Sequence, residues 1–192
     1  MISSSKLVLP KASGKPKVWS VPAHLDPSVR ENRTLKFGGD NIVCVGMHDT
    51  VQRLLMRDFE LWQPARIAIG CGGEFNEFGG FAGSRQAPTY TDSKMRRPIM
   101  TTPLVQITQS GMVEERRIHY SAILSPEEGI TSAGDPIRPF IDELGIEAAN
   151  GVLLAHYVSD ADENGRTIKQ VKTNLEWLVI DWEIQFVATP EV

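Results

Sequence analysis

Leu178-Val179-Ile180-Asp181-Trp182-Glu183-Ile184-Gln185-Phe186 decides the fold. Leu178, Ile180, Trp182, Ile184 and Phe186 share one side of an extended chain. Asp181, Glu183 and Gln185 share the other. Alternation with a period of two means one side in a core and one side in water. Upstream, Ile141–Glu147 and Val152–Val158 flank Ala149-Asn150-Gly151. Asn-Gly between apolar runs is a strong hairpin signal, because both central residues of the tight turn need positive φ. Val113 to Leu124 reads as another strand, with Ile118, Tyr120, Ala122 and Leu124 alternating with Arg117, His119 and Ser121. Leu104 to Thr108 and Arg66 to Ile69 add two more. These runs predict an antiparallel β-sandwich with one packed helix.

The helix is expected over about 49–62. Val51, Leu54, Leu55, Asp58/Phe59 and Trp62 form a stripe, Asp49 or Thr50 can cap it, and Pro64 stops it. A glycine-rich loop is expected over 70–97, since residues 70–83 alone hold six glycines. Residues 1–35 read as an extended N-terminal arm. Its first twenty residues carry Lys6, Lys11, Lys15 and Lys17, no acid, and Pro10, Gly14 and Pro16. The sandwich domain then spans 36–192.

The chain has 192 residues, enough for a buried core without a disulfide or metal. Its net charge of −4 argues against a free-standing nucleic-acid binder, which needs a basic face. No apolar run approaches a membrane span, and the N-terminus lacks the apolar centre of a signal peptide. Two cysteines, Cys44 and Cys71, make no disulfide framework. Synthesis in the cytoplasm follows as an expectation. Charge is uneven: residues 1–40 carry net +4 and residues 126–192 net −9. A basic head and an acidic tail attract each other between copies, although a solvated face has the same composition.

Catalytic signals are sparse. His48, His119 and His156 lie inside expected structure and His24 in the arm, none at metal-ligand spacing. Cys71 sits in a glycine turn, but no base or oxyanion donor is tied to it. Two carboxylates, Glu74 and Glu77, follow the glycines and would repel a phosphate. Asp160, Asp162, Glu163 and Asn164 lack the full calcium-loop spacing. We therefore expect no catalytic, cofactor-binding or metal residues. The expected interface residues are the arm lysines Lys6, Lys11, Lys15 and Lys17, facing acidic surfaces of Asp142, Glu143, Asp160, Asp162 and Glu163. Phe75, Phe78 and Phe81 in the glycine loop are either a local mini-core or hydrophobic anchors for a neighbour.

Three motifs in order carry a resemblance. They are Ile67-Ala68-Ile69-Gly70-Cys71-Gly72-Gly73; Ile118-His119-Tyr120-Ser121-Ala122-Ile123-Leu124 with Glu127-Glu128-Gly129; and Ile141-Asp142-Glu143-Leu144-Gly145-Ile146 followed by Gly151-Val152-Leu153-Leu154-Ala155. Together, over roughly residues 65–187, they resemble phage tail-collar-fibre-type attachment domains. Glu147 stands where that family commonly has an aromatic, and no long shaft follows Phe186. The resemblance implies a non-enzymatic component of a tailed-phage virion, in a tail collar, baseplate or fibre-attachment adaptor. Such a component forms symmetric homo-oligomers and binds other virion proteins, without nucleic acid or membrane. A capsid decoration or cement protein is the alternative, and a small cysteine hydrolase centred on Cys71 a remote third.

Overall fold

A computed structural model describes residues 11–58, 60–71, 88–96, 98–111, 115–128, 140–159 and 170–187. The strands are β1 (Lys11–Pro22), β2 (Thr34–Gly38), β3 (Ile42–Val43), β4 (Pro64–Gly70), β5 (Pro98–Pro103), β6 (Gln106–Ser110) and β7 (Glu115–Leu124). They continue as β8 (Phe140–Ile141), β9 (Glu143–Ala148), β10 (Leu153–Val158), β11 (Gln170–Val171) and β12 (Glu176–Val187); helix α1 spans Val45–Leu55. Two antiparallel five-stranded sheets result, ordered β2-β1-β12-β7-β6 and β3-β10-β9-β4-β5, with β11 and β8 as a separate pair. The protein is an antiparallel β-sandwich with one helix.

The core follows from the alternation in β12. Leu178, Ile180, Trp182 and Ile184 are buried, and they meet Ile67, Ile69, Leu144, Ile146, Leu154 and Tyr157 from the opposite sheet. Fully burying each large aliphatic side chain is worth roughly 1.5–3 kcal/mol, so this layer dominates the stabilisation. Phe37 of β2 stacks on Tyr157 of β10 with centroids 6.2 Å apart, joining the sheets near one end. On the outer side of β12, Asp181 accepts from Ser121 Oγ at 2.8 Å and from Arg33 Nη1 at 3.0 Å. The expected hairpin forms, but through Ala149-Asn150-Gly151: Gly151 N–H donates to Ala148 O at 2.9 Å, and of Asn150 and Gly151 only Gly151 takes a positive φ, 83°.

Several expectations need correction. Residues 11–22 are no arm: β1 lies between β2 and β12 and pairs with β12 along its whole length. Pro16 is tolerated there because pairing with β2 begins only at Lys17, so no neighbour on that side needs its missing N–H. The helix begins earlier than expected, after Cys44, and buries Gly46, Met47 and Thr50. Leu54 and Leu55 of the expected apolar stripe are exposed. Thr50 makes no cap; its hydroxyl donates to Trp62 O at 3.2 Å. The helix stops before Pro64 is reached. Arg57 takes a left-handed conformation (φ 60°), Arg57 N–H donates to Leu54 O and Asp58 N–H to Arg53 O, which closes the helix end. Residues 98–103, adjoining the expected loop, form β5, and β6 runs on through Gln109 and Ser110.

Candidate functional site

Sheet β3-β10-β9-β4-β5 is covered on both faces. Its inner face joins the core, while its outer face is covered by α1 and by residues 88–96. Small side chains make the room. Ala68 of β4 lies opposite Gly145 of β9, and Ala68, Met95, Cys44 and Leu153 form a second apolar cluster.

A polar chain is set into this layer. His156 of β10 is fully buried. Its Nδ1 lies 2.7 Å from Asp92 Oδ2, and its Nε2 lies 2.7 Å from Glu143 Oε1. Arg96 N–H donates to the same Glu143 oxygen at 2.8 Å. The Arg96 guanidinium stands 3.7 Å from Asp92 Oδ2. The strands position the first pair: His156 is opposite Gly145 and Glu143 is opposite Val158, which makes His156 and Glu143 diagonal neighbours across the hairpin. A local turn positions Asp92, which accepts from Thr89 N–H at 3.0 Å and Thr89 Oγ1 at 2.7 Å.

Both ring nitrogens of His156 face carboxylate oxygens. Burial alone would raise the Asp92 pKa, but the Thr89 hydrogen bonds and the His156 interaction outweigh it and hold the carboxyl below 3.8. Cys44 lies beside this layer. Burial, with the Asp92 charge adding to it, pushes its thiol pKa up to about 12, so it is a poor nucleophile. The arrangement can clamp residues 88–96 to the sheet. A general base needs a nitrogen free to accept a proton, and here both are engaged.

Two other constellations lie on the surface. Ser110 Oγ is 2.7 Å from His119 Nε2, and His119 Nδ1 is 3.8 Å from Glu183 Oε2. These groups stand on the solvent side of β6, β7 and β12, and Glu183 also meets Arg117 Nη1 at 3.6 Å. Cross-strand pairing of polar side chains accounts for them. Beside α1, Asp49, Gln52, Arg53, Met56 and Trp62 line a groove of about 290 Å³. The Arg53 guanidinium lies over the Trp62 ring, 5.3 Å from its centroid, and occupies one ring face.

The expected interface residues separate. Lys11 opens β1, while Lys15 and Lys17 project from its solvent side, in register with Glu183 and Asp181 of β12. Lys15 Nζ pairs with Asp40 at 3.5 Å within the chain. Asp142 and Glu143 form no acidic surface: they are 1% and 0% exposed, and Glu143 is held by Arg96 N–H and His156 on the covered outer face of the sheet. Lys6, Phe75, Phe78, Phe81, Asp160, Asp162 and Glu163 lie outside the described residues. Among the described residues no group of three or more His, Cys, Asp or Glu is placed to hold a metal ion, and no helix is long and apolar enough to cross a membrane. The clamp was missed in sequence, although His156 stands out inside the otherwise apolar run Leu153–Val158.

No protein-family model, curated protein or solved structure matches the chain.

Proposed function

We propose that this chain is a non-enzymatic structural component of a tailed-phage virion, in a tail collar, baseplate or fibre-attachment adaptor. It associates with copies of itself and with neighbouring virion proteins. The observation that carries the reading is the placement of the motifs that resemble attachment domains. Ile67, Ala68, Ile69 and Gly70 of the glycine-turn motif lie in β4, and Glu143–Ala155 spans β9 and the start of β10, side by side in one sheet. Ile118–Leu124 of the middle motif lie in β7, in the facing sheet. The described parts of all three motifs thus lie in one sandwich.

The buried clamp supports a passive role, since its histidine is engaged on both nitrogens and rigidifies the fold. A satisfied buried polar network rigidifies a core and specifies one packing. The test is a deletion of this chain from the phage genome. Particles then assemble without a complete tail end and lose infectivity, and supplying the chain restores both. Full infectivity without it would overturn the reading.

A further inference from the structure

We infer that residues 88–96 form a strap that acid releases from the outer face of the β3-β10-β9-β4-β5 sheet while the sandwich stays folded, uncovering Cys44. The strap is held mainly by polar contacts. Met95 is its one buried side chain. Met95 packs with Cys44, Ala68 and Leu153 in a small cluster apart from the main core. Two backbone bonds tie the strap down, from Val45 N–H to Tyr90 O and from Leu153 N–H to Ser93 O at 3.2 Å. The remaining ties are the His156–Asp92 contact and the Arg96 N–H bond to Glu143. A segment with so little apolar anchorage can open below the free energy of global unfolding.

Protons act on these ties directly. Around His156 stand Glu143 from β9, Asp92 and Arg96 from the strap, and Cys44 just ahead of α1. Asp92 uses both oxygens as acceptors: Oδ1 takes Thr89 Oγ1, and Oδ2 takes Thr89 N–H and faces His156 Nδ1. Glu143 Oε1 takes Arg96 N–H and faces His156 Nε2. A proton added to either carboxylate enters a site arranged for acceptors and removes the charge that strengthens its bonds.

Release differs from deleting one member of the clamp. When the strap lifts, water replaces Asp92 and Arg96 beside His156 and Glu143, so no charge is left stranded in an apolar layer. The sign follows from Asp92, whose carboxyl is held below its ordinary 3.8 while the strap is closed. The released strap takes up that proton first as pH falls, so opening grows with acid. Cys44 reports the event. It is fully buried, its Sγ lies 4.0 Å from Thr89 O, and it shares the Met95 cluster.

Two measurements on the full chain, from neutral pH down to the onset of global unfolding, test the strap. One is labelling of Cys44 by a pyridyl disulfide, which reacts in acid, with the labelled peptide identified by mass spectrometry. The other is hydrogen exchange of the Val45, Arg96 and Leu153 amides, read against Ile180 and Trp182 of β12. Both are expressed relative to the unfolded chain at the same pH. The expected result is a loss of protection of about tenfold or more at Cys44 and the three amides, while the β12 amides keep theirs. Asp92→Asn, which takes up no proton, should open more at neutral pH and vary less steeply with pH. Protection at Cys44 and the three amides that persists until β12 opens, or that does not change with pH, overturns the strap. So does a folded Asp92→Asn with the native steepness. Should Asp92→Asn fail to fold, the native chain decides alone by the same outcomes.

Discussion

His156 Nε2 lies 2.7 Å from Glu143 Oε1, and neither side chain is exposed to solvent. A buried pair of this kind adds little net stability when formed, because desolvation offsets attraction. Breaking it is costly, since the remaining partner is stranded. His156→Ala removes one of the partners of Glu143 Oε1, which keeps the Arg96 N–H, and removes a partner from Asp92. We expect a loss of about 3–5 kcal/mol, measured by urea unfolding. Glu143→Gln keeps an acceptor for both donors and should cost less.

Acid should loosen the clamp. The Asp92 carboxyl is held below its ordinary 3.8 in the folded chain. The unfolded chain therefore binds that proton first as pH falls. The stabilisation is fully present above 3.8 and is lost as pH falls through the lower folded value. Unfolding midpoints followed from neutral to strongly acidic pH should show this loss, and Asp92→Asn should flatten that part of the curve. An unchanged acid slope in Asp92→Asn would contradict the assignment.

Arg57 stands at the left-handed position that closes α1, with φ 60°. A β-carbon there is strained, and glycine relieves it. Arg57→Gly should stabilise the protein by about 0.5–1 kcal/mol, seen as a higher melting temperature.

Gly46 has the opposite logic. It lies in the helix, where alanine has the better propensity, but a β-carbon there would collide with the Leu153 backbone carbonyl and the Val152 side chain. Gly46→Ala should destabilise by about 1–3 kcal/mol despite the propensity gain. Chemical denaturation measures the sign directly, and a stabilised variant would show that α1 can shift away from β10.

The strands whose apolar pattern is local were legible. β12, β4 and the β9–β10 hairpin carry their periodicity and turn residues within a dozen positions. β1 was hidden because Gly14, Pro16 and the lysines resemble an arm. Only β12, far along the chain, supplies the partner that makes them a strand. The helix was displaced for a similar reason: its buried face uses Gly46, Met47 and Thr50, which no hydrophobic stripe advertises, while Leu54 and Leu55 point outward. The clamp joins a turn residue, Asp92, to a strand residue 64 positions away. Spacing along the chain contains no trace of that contact.

Quantitative mass spectrometry of purified, density-banded phage particles tests the central claim most directly. The account predicts this chain in the particle at a small fixed number of copies, matching the symmetry of the tail axis. Its absence from infectious particles would contradict the account, and a copy number matching the coat lattice would move it from the tail to the capsid surface.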